Sequence, residues 1–112
     1  MAGCRLARDA AAVIVRVLTA RVKPHRAAEF NAILRRQLPI LREHPGLRYV
    51  KLARQVHVGG EEVLLFEEWA DADALYGWAG PDISRPRLLP GAEQHVESLE
   101  VRHYEALDLD PD

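Results

Sequence analysis

The spacing of hydrophobic positions changes several times along the chain, and each change marks a new predicted element. Between Val13 and Val22 apolar residues are dense and mostly β-branched, which is typical of a strand. Pro24 follows at a predicted first helical position, where its missing N–H is tolerated. Apolar residues then recur every three or four positions and share one helix face: Ala27, Phe30, Leu34, Leu38 and Leu41. Pro39 falls inside this pattern and is expected to kink or weaken the last turns.

The second half of the chain continues with short elements of both kinds. The pattern predicts a second strand from Leu47 to Val58, a hairpin turn at Gly59-Gly60, a third strand from Glu61 to Ala70, a helix from Ala72 to Ala79, one or two helical turns within Leu88–His95 and a last strand from Glu97 to Leu107. Asp71 is predicted to cap the second helix. The order β-α-β-β-α-β predicts a ferredoxin-like α+β fold, a four-stranded antiparallel sheet with helices on one face.

Both faces of the predicted sheet carry apolar residues. Val15 and Val17 alternate with Ile14 and Leu18 in the first strand, and Leu64 and Phe66 alternate with Val63 and Leu65 in the third. Two helices cover only one face of the sheet. Burial of the other face lowers the free energy by about 25 cal/mol per Å² of apolar surface removed from water. We therefore expect a homodimer packed sheet to sheet. The alternative is a monomer that leaves this face exposed.

Composition sets limits on the class of protein. The chain of 112 residues has the length of one domain, predicted at 13–107 between a disordered leader (1–12) and a solvated tail (108–112). A net charge of −2 lacks the basic excess of nucleic-acid binders. The single Cys4 excludes an intrachain disulfide and suits a reducing compartment. No apolar run approaches the roughly 18 residues of a membrane span. The expected location is cytoplasmic.

Metal and phosphate sites are not predicted. The five histidines show no spacing typical of metal ligands, and no second cysteine assists them. No glycine-rich loop follows a strand with the spacing that cradles a phosphate. The sequence thus predicts neither a metal site nor a nucleotide-binding loop.

Two adjacent carboxylates end the third strand. Since neighbouring strand residues face opposite ways, either Glu67 or Glu68 points towards the helices. A carboxylate there could act as a base with a raised pKa. The alternative is an ion pair with an arginine of a neighbouring strand, Arg16, Arg54 or Arg102.

The last strand places titratable groups in succession at His103, Tyr104 and Glu105. His103 shares a face with Leu99 and Val101 and is therefore expected to be half-buried. It is a candidate proton acceptor or, alternatively, a histidine satisfied within the core.

The aromatic residues concentrate around the second helix, at Trp69, Tyr76 and Trp78. Leu75 and Trp78 are three residues apart and should turn towards the sheet. The proline-rich segment 80–90 that follows is expected to leave an aromatic-lined pocket. Arg85 and Arg87 at its mouth either attract an anionic ligand or are simply solvated.

These residues resemble a known family. Glu67-Glu68-Trp69 followed by Ala70-Asp71-Ala72-Asp73-Ala74-Leu75 is similar to the hallmark of the antibiotic biosynthesis monooxygenase domain. The segments 79–82 and 101–105 look like a branch of the same family, so that the resemblance covers about 13–107. It implies a ferredoxin-like fold that pairs as a dimeric α/β barrel.

The resemblance also implies a reaction. Members oxygenate phenol-, quinol- or anthrone-like aromatic molecules with dioxygen and without metal, flavin or haem. Trp69 matches the tryptophan that ends the third strand, and Trp78 stands where members carry His, Phe or Trp. We expect Trp69, Trp78 and Tyr76 to line the pocket. His103 is the first candidate for the base, and Glu67 and Tyr104 are the other catalytic candidates.

Two departures from the family pattern keep an alternative open. Leu65 stands where some monooxygenases carry asparagine, and Val17 stands where haem-degrading relatives carry asparagine. A histidine of those relatives is replaced by Leu88 or Glu93, so haem degradation is disfavoured. We retain Leu65 and Val17 as substrate-binding positions. The alternative function is a non-enzymatic ligand-binding or regulatory barrel.

Overall fold

The computed structural model of the protein describes residues 12–57 and 60–107. Its elements are β1 (Ile14–Val22), α1 (Ala27–Arg42), β2 (Leu47–His57), β3 (Gly60–Trp69), α2 (Ala72–Ala79), a 3-10 turn (Ala92–His95) and β4 (Val96–Glu105). The four strands form one antiparallel sheet in the order β2-β3-β1-β4. This confirms the predicted ferredoxin-like architecture. The predictions for the leader, the tail, the last strand residue Val58 and the turn residue Gly59 lie outside the described residues, and Gly60 of the predicted turn is the first residue of β3.

The sheet buries one face beneath the two helices. Along β1, buried and half-buried residues alternate strictly, with Ile14, Leu18 and Val22 among those that face the helices. Two groups of buried side chains lie between helices and sheet, one around Trp69 and α2, the other around Phe30 of α1. Alternation of this kind is what the strand geometry requires of a half-covered sheet.

The first helix begins later than predicted. Pro24 is not its first residue, because His25 adopts a positive φ of 65° that no helix accommodates. The backbone N–H of Arg26 donates to the Lys23 carbonyl at 3.1 Å, which closes a turn before the helix starts. Local turn geometry therefore displaces the helix start by three residues.

Pro39 does not end α1, which continues to Arg42. The expected weakening of the last turn does not shorten the helix, because Leu41 beyond the proline is fully buried. Packing of the apolar face outweighs the missing hydrogen bond at the exposed Pro39.

The second helix forms as predicted. The Asp71 carboxylate accepts a hydrogen bond from the Ala74 N–H at 2.8 Å, and Gly80 ends the helix with a φ of 84°. Leu75 and Trp78 are both buried against the sheet, which confirms their predicted face.

One helical turn forms within 88–95, as predicted. Only Ala92–His95 is helical, as a single 3-10 turn. Gly91 precedes it with a left-handed φ of 91°, which breaks any continuation from Leu88.

Within the described part of the chain, no helix is both long and apolar enough to cross a membrane.

Candidate active site

A row of polar residues crosses the helix-facing side of the sheet. Arg16 in the central strand β1 is paired in register with Glu67 of β3 on one side and His103 of β4 on the other. Residues opposite each other in antiparallel strands share a face, so the three side chains are neighbours. Arg16 is only 1% exposed and Glu67 only 2%. Charged residues are almost never buried to this extent without partners, which makes this row the candidate site.

Arg16 connects the row to the segment between α2 and the 3-10 turn. Its Nη1 donates to the Ile83 carbonyl at 2.7 Å and lies 2.9 Å from His103 Nε2. Its Nη2 donates to the Arg85 carbonyl at 2.9 Å. Its Nε lies 3.7 Å from Glu67 Oε1. One guanidinium thus holds two strands and a loop together.

Glu67 is held from two sides. The Trp69 indole N–H donates to Oε1 at 2.9 Å, and Arg16 provides the opposite charge. Burial nevertheless raises the pKa of the Glu67 carboxyl above its ordinary value, against the smaller lowering effects of the indole hydrogen bond and the Arg16 charge. Of the three arginines considered as partners, Arg16 is the one that pairs with Glu67. The other two form ion pairs elsewhere, Arg54 with Glu61 and Arg102 with Glu100.

His103 is half-buried beside Arg16. Burial first, and the positive charge of Arg16 second, lower the pKa of His103 to about 4. A histidine with this pKa is neutral at pH 7 and is a weak base. Its Nε2 is already engaged by an arginine N–H. Both features argue against the role of general base that the sequence predicts for His103.

Two tryptophans fill the space between α2 and the sheet. Trp69 is fully buried and stacks on Trp78, with ring centroids 6.5 Å apart and an interplanar angle of 22°. His44 contacts Trp78 edge-on at 4.6 Å. The Arg87 guanidinium lies 4.1 Å from the centre of the Trp78 ring and donates to the Trp78 carbonyl. These contacts make a packed aromatic wall next to Glu67.

The segment 80–90 forms an open cavity of about 500 Å³, whose lining includes Pro81, Arg85, Pro86, Arg87 and Leu88. Arg85 and Arg87 therefore lie where the sequence places them. The lining is proline, leucine and charged side chains rather than the expected aromatic rings, because Trp69 and Trp78 turn into the core. Gln37 of α1 holds the same segment by donating to the Arg87 carbonyl at 2.8 Å and accepting from the Leu89 N–H at 2.9 Å.

The remaining predicted site residues divide between the two faces of the sheet. Leu65 is buried on the helix-facing side, and Tyr76 is half-buried on α2. Val17 and Tyr104 lie on the opposite face, since each neighbours in sequence a residue of the polar row and strand side chains alternate. The structure therefore does not bring these two together with Trp69 and Glu67.

Two residues of the site were not predicted from the sequence: Gln37, and Arg16 except as a possible ion-pair partner. In both cases a signal was present. Arg16 interrupts an otherwise apolar inward series in β1, and Gln37 interrupts the apolar face of α1. A polar residue at an inward position is the informative observation in such patterns.

In residues 12–57 and 60–107, no three His, Cys, Asp or Glu side chains form a group that could hold a metal ion.

Comparison with known proteins shows which family the chain belongs to. Residues 13–83 match the sequence profile of the antibiotic biosynthesis monooxygenase family, the one that the resemblance of the sequence indicates. No curated protein is significantly similar in sequence to this chain.

Several solved structures share the fold. One is a variant of SnoaB, a cofactor-independent oxygenase from Streptomyces nogalater, with a TM-score of 0.68, 21% identity and coverage of 91% of this chain and 100% of that chain. Protein SO0527 from Shewanella oneidensis has a TM-score of 0.71 and 21% identity, covering 87% of this chain and 93% of its own. A conserved protein from Methanosarcina mazei Go1 has a TM-score of 0.69 and 19% identity, covering 84% and 92%. With the profile match over most of its length, the chain belongs to the antibiotic biosynthesis monooxygenase family.

Proposed function

We propose that this protein is a cofactor-independent monooxygenase that oxidises a small phenol-, quinol- or anthrone-like aromatic molecule with dioxygen. The observation that carries the proposal is the Glu67 carboxyl, buried with a raised pKa between the Trp69 indole and Arg16. It stands in the Glu-x-Trp motif of the family. Similarity in fold to a cofactor-independent oxygenase supports the same chemistry.

Such a reaction needs a proton acceptor, because dioxygen reacts with the electron-rich anion of the substrate. Glu67 takes this role, since a carboxylate with a raised pKa binds a proton more strongly than one in water. The substrate anion gives electrons to dioxygen, and a carbon–peroxide bond forms. Loss of water then leaves a new carbonyl, with one oxygen atom in the product and the other in water. An anthrone methylene or a phenol supplies all four electrons, so no external reductant is required.

Trp69 and Trp78 line this site and exclude water, which strengthens the electrostatic contacts inside it. With Trp69 fully buried and Glu67 2% exposed, an aromatic substrate reaches the carboxyl only after the segment 80–90 moves. The cavity beneath that segment is the proposed entrance. Arg16 and Gln37 hold the segment closed through backbone carbonyls of Ile83, Arg85 and Arg87.

Oxygen uptake with a panel of hydroquinones and anthrones tests the proposal. We expect the wild type to consume one dioxygen per molecule of anthraquinone-type product from an anthrone, or of hydroxyquinone from a hydroquinone, and to incorporate one labelled oxygen atom from ¹⁸O₂ into it. Glu67→Gln keeps the shape of the side chain but cannot accept the proton, so turnover should fall by about 10²–10⁴-fold. Glu68→Gln is the matched control, because the neighbouring carboxylate lies on the opposite face and pairs with Arg48 at 3.6 Å. Its turnover should stay unchanged.

Full activity of Glu67→Gln would remove Glu67 from the mechanism. If the panel binds without any oxygen uptake, the non-enzymatic ligand-binding alternative replaces the oxygenase. A Soret band on titration with haemin would instead indicate a haem protein. Binding without oxygen uptake and a Soret band would each contradict the proposed oxygenase.

We also propose that the sheet pairs with a second copy of the chain. Its face opposite the helices carries half-buried Val17 and Phe66 in register, and Tyr49 packs on Phe66 with ring centroids 6.0 Å apart. Tyr49 is 47% exposed and Tyr104 is 50% exposed on this same face. Covering so much apolar surface is the usual reason for a two-fold dimer. Pairing as a dimeric α/β barrel is also what the family resemblance implies.

Phe66→Lys should disrupt this dimer. Placing a charge at the centre of the apolar face should make the free energy of dimerisation less favourable by more than about 2 kcal/mol, the size typical of anchor residues in interfaces. This raises the dissociation constant of the dimer by at least about 30-fold. Sedimentation velocity at micromolar concentration measures the change. Ile40→Lys is the control, because Ile40 is exposed to the same degree as Tyr49 of this face but lies on α1, away from it. A wild type that sediments as a monomer would contradict the proposed dimer.

A further inference from the structure

His103 has two ring nitrogens in different surroundings. Its Nε2 lies 2.9 Å from Arg16 Nη1. Its Nδ1 is buried and, within the described part of the chain, has no hydrogen-bond partner. One nitrogen is therefore engaged, and the other is buried without a partner.

The chemistry of arginine decides the protonation of this pair. A guanidinium remains charged in proteins and carries only N–H donors. The contact with Arg16 is a hydrogen bond only if His103 Nε2 carries the lone pair. In a neutral imidazole the single proton then resides on Nδ1. A proton on both nitrogens would point Nε2–H at an N–H of Arg16 and bring two positive charges together.

The guanidinium is itself fixed in place. Its Nη1 also donates to the Ile83 carbonyl, its Nη2 donates to the Arg85 carbonyl, and its Nε faces Glu67. It cannot turn away from His103 without breaking these contacts. The His103 pKa of about 4 agrees with this arrangement, because the ring is neutral at pH 7.

We propose that Arg16 is a positioning residue that holds His103 in the Nδ1–H tautomer, so that the site offers an unpaired N–H donor to an oxygen atom of the substrate. A phenolate or quinol oxygen is the matching acceptor. As the substrate loses its proton, negative charge develops on this oxygen, and a fixed donor in a dry site stabilises that charge better than water would. This use of the N–H rests on the proposed function, whereas the tautomer does not.

His95 supplies an internal comparison with the opposite expectation. Its Nδ1, not its Nε2, lies 3.2 Å from Arg26 Nη1. By the same reasoning, neutral His95 carries its proton on Nε2. The two arginine-bound histidines should therefore be opposite tautomers in one molecule.

Long-range ¹H–¹⁵N correlation spectra of the ¹⁵N-labelled wild type at neutral pH test the proposal without any substrate. Protonated and unprotonated ring nitrogens resonate far apart, so the tautomer is read directly. We expect His103 to be protonated at Nδ1 and His95 at Nε2. A His103 ring protonated at Nε2, or at both nitrogens, would overturn the proposal.

Variants separate positioning by Arg16 from other causes. In Arg16→Met, His103 should change towards the Nε2–H form that imidazole prefers in water, while His95 stays unchanged. Arg16→Lys keeps a donor-only cation and should preserve the Nδ1–H form. An unchanged His103 in a folded Arg16→Met variant would show that Arg16 does not set the tautomer. If the variants fail to fold, the wild-type spectrum still decides whether His103 has the expected tautomer. A wild type that shows this tautomer but consumes no oxygen would contradict only the proposed function.

Discussion

Replacing Arg16 by methionine is expected to destabilise the folded protein by about 3–5 kcal/mol, because it leaves the buried Glu67 charge without its partner. The substitution also removes the donors to the Ile83 and Arg85 carbonyls. Urea denaturation at one fixed protein concentration measures the loss of unfolding free energy. A change of less than about 1 kcal/mol would mean that the ion pair contributes little to the fold.

The double variant Arg16→Met/Glu67→Gln is the control for this effect. Glutamine keeps an oxygen that accepts from the Trp69 indole but carries no charge, so part of the lost stability should return. If the double variant is no more stable than Arg16→Met alone, then the destabilisation comes from packing or from the loop contacts, and not from the unpaired charge.

The difference between these two variants should depend on pH. The pKa of Glu67 is raised in the folded state, so the folded protein binds more protons than the unfolded chain, and stability falls as pH rises from the ordinary carboxyl pKa through the raised one. Loss of the Arg16 charge raises that pKa further. The unfolding free energy of Arg16→Met should therefore fall furthest below that of the double variant at about pH 8, and least far below it at about pH 5. His103 has the opposite dependence, losing stability as pH falls from its ordinary value towards about 4, but it is present in both variants.

Substitution of Gly46 by alanine is expected to cost about 2–4 kcal/mol, the second large effect. Gly46 follows α1 with a φ of 90°, a backbone region that costs other residues about 1–3 kcal/mol. A Cβ at this position would overlap the Cβ of Ala74 in α2. The Gly46 carbonyl also accepts from the Ala70 N–H at 2.7 Å, so the loop cannot move away freely. Denaturation by urea or heat measures the change.

Gly77→Ala is the matched comparison. Gly77 is exposed within α2, and a Cβ there would meet nothing within 4 Å. The substitution should stabilise the protein by about 0.5–1 kcal/mol through higher helix propensity. A Gly46→Ala variant as stable as the wild type would show that the chain between α1 and β2 relaxes without loss.

Most of the fold follows from signals that are local in sequence. Strand alternation, the helical spacing around Phe30 and Leu34, and the cap at Asp71 each depend on residues within a few positions of one another, and each is confirmed. The start of α1 was predicted wrongly. A positive φ at His25 redirects the backbone there, and sequence alone does not reveal it.

The site is less predictable than the fold, because its residues come from three strands and a loop. The motif around Glu67 and Trp69 was visible in the sequence, and so was the inward face of His103. The role of Arg16 was not, since it depends on which strands are neighbours. Val17 and Tyr104 were grouped with the site by family position and by adjacency, yet strand alternation directs both to the opposite face.

The order of strands and helices, the two apolar faces of the sheet and the family all follow from the amino-acid sequence, because hydrophobic periodicity and a short motif are properties of the chain read in one dimension. The position of β1 between β3 and β4, which brings Arg16 between Glu67 and His103, is known only from the folded sheet. The reason is physical: a pKa, a tautomer or a buried ion pair depends on distances between residues that are about 50 or more positions apart along the chain, and those distances exist only after the sheet has formed.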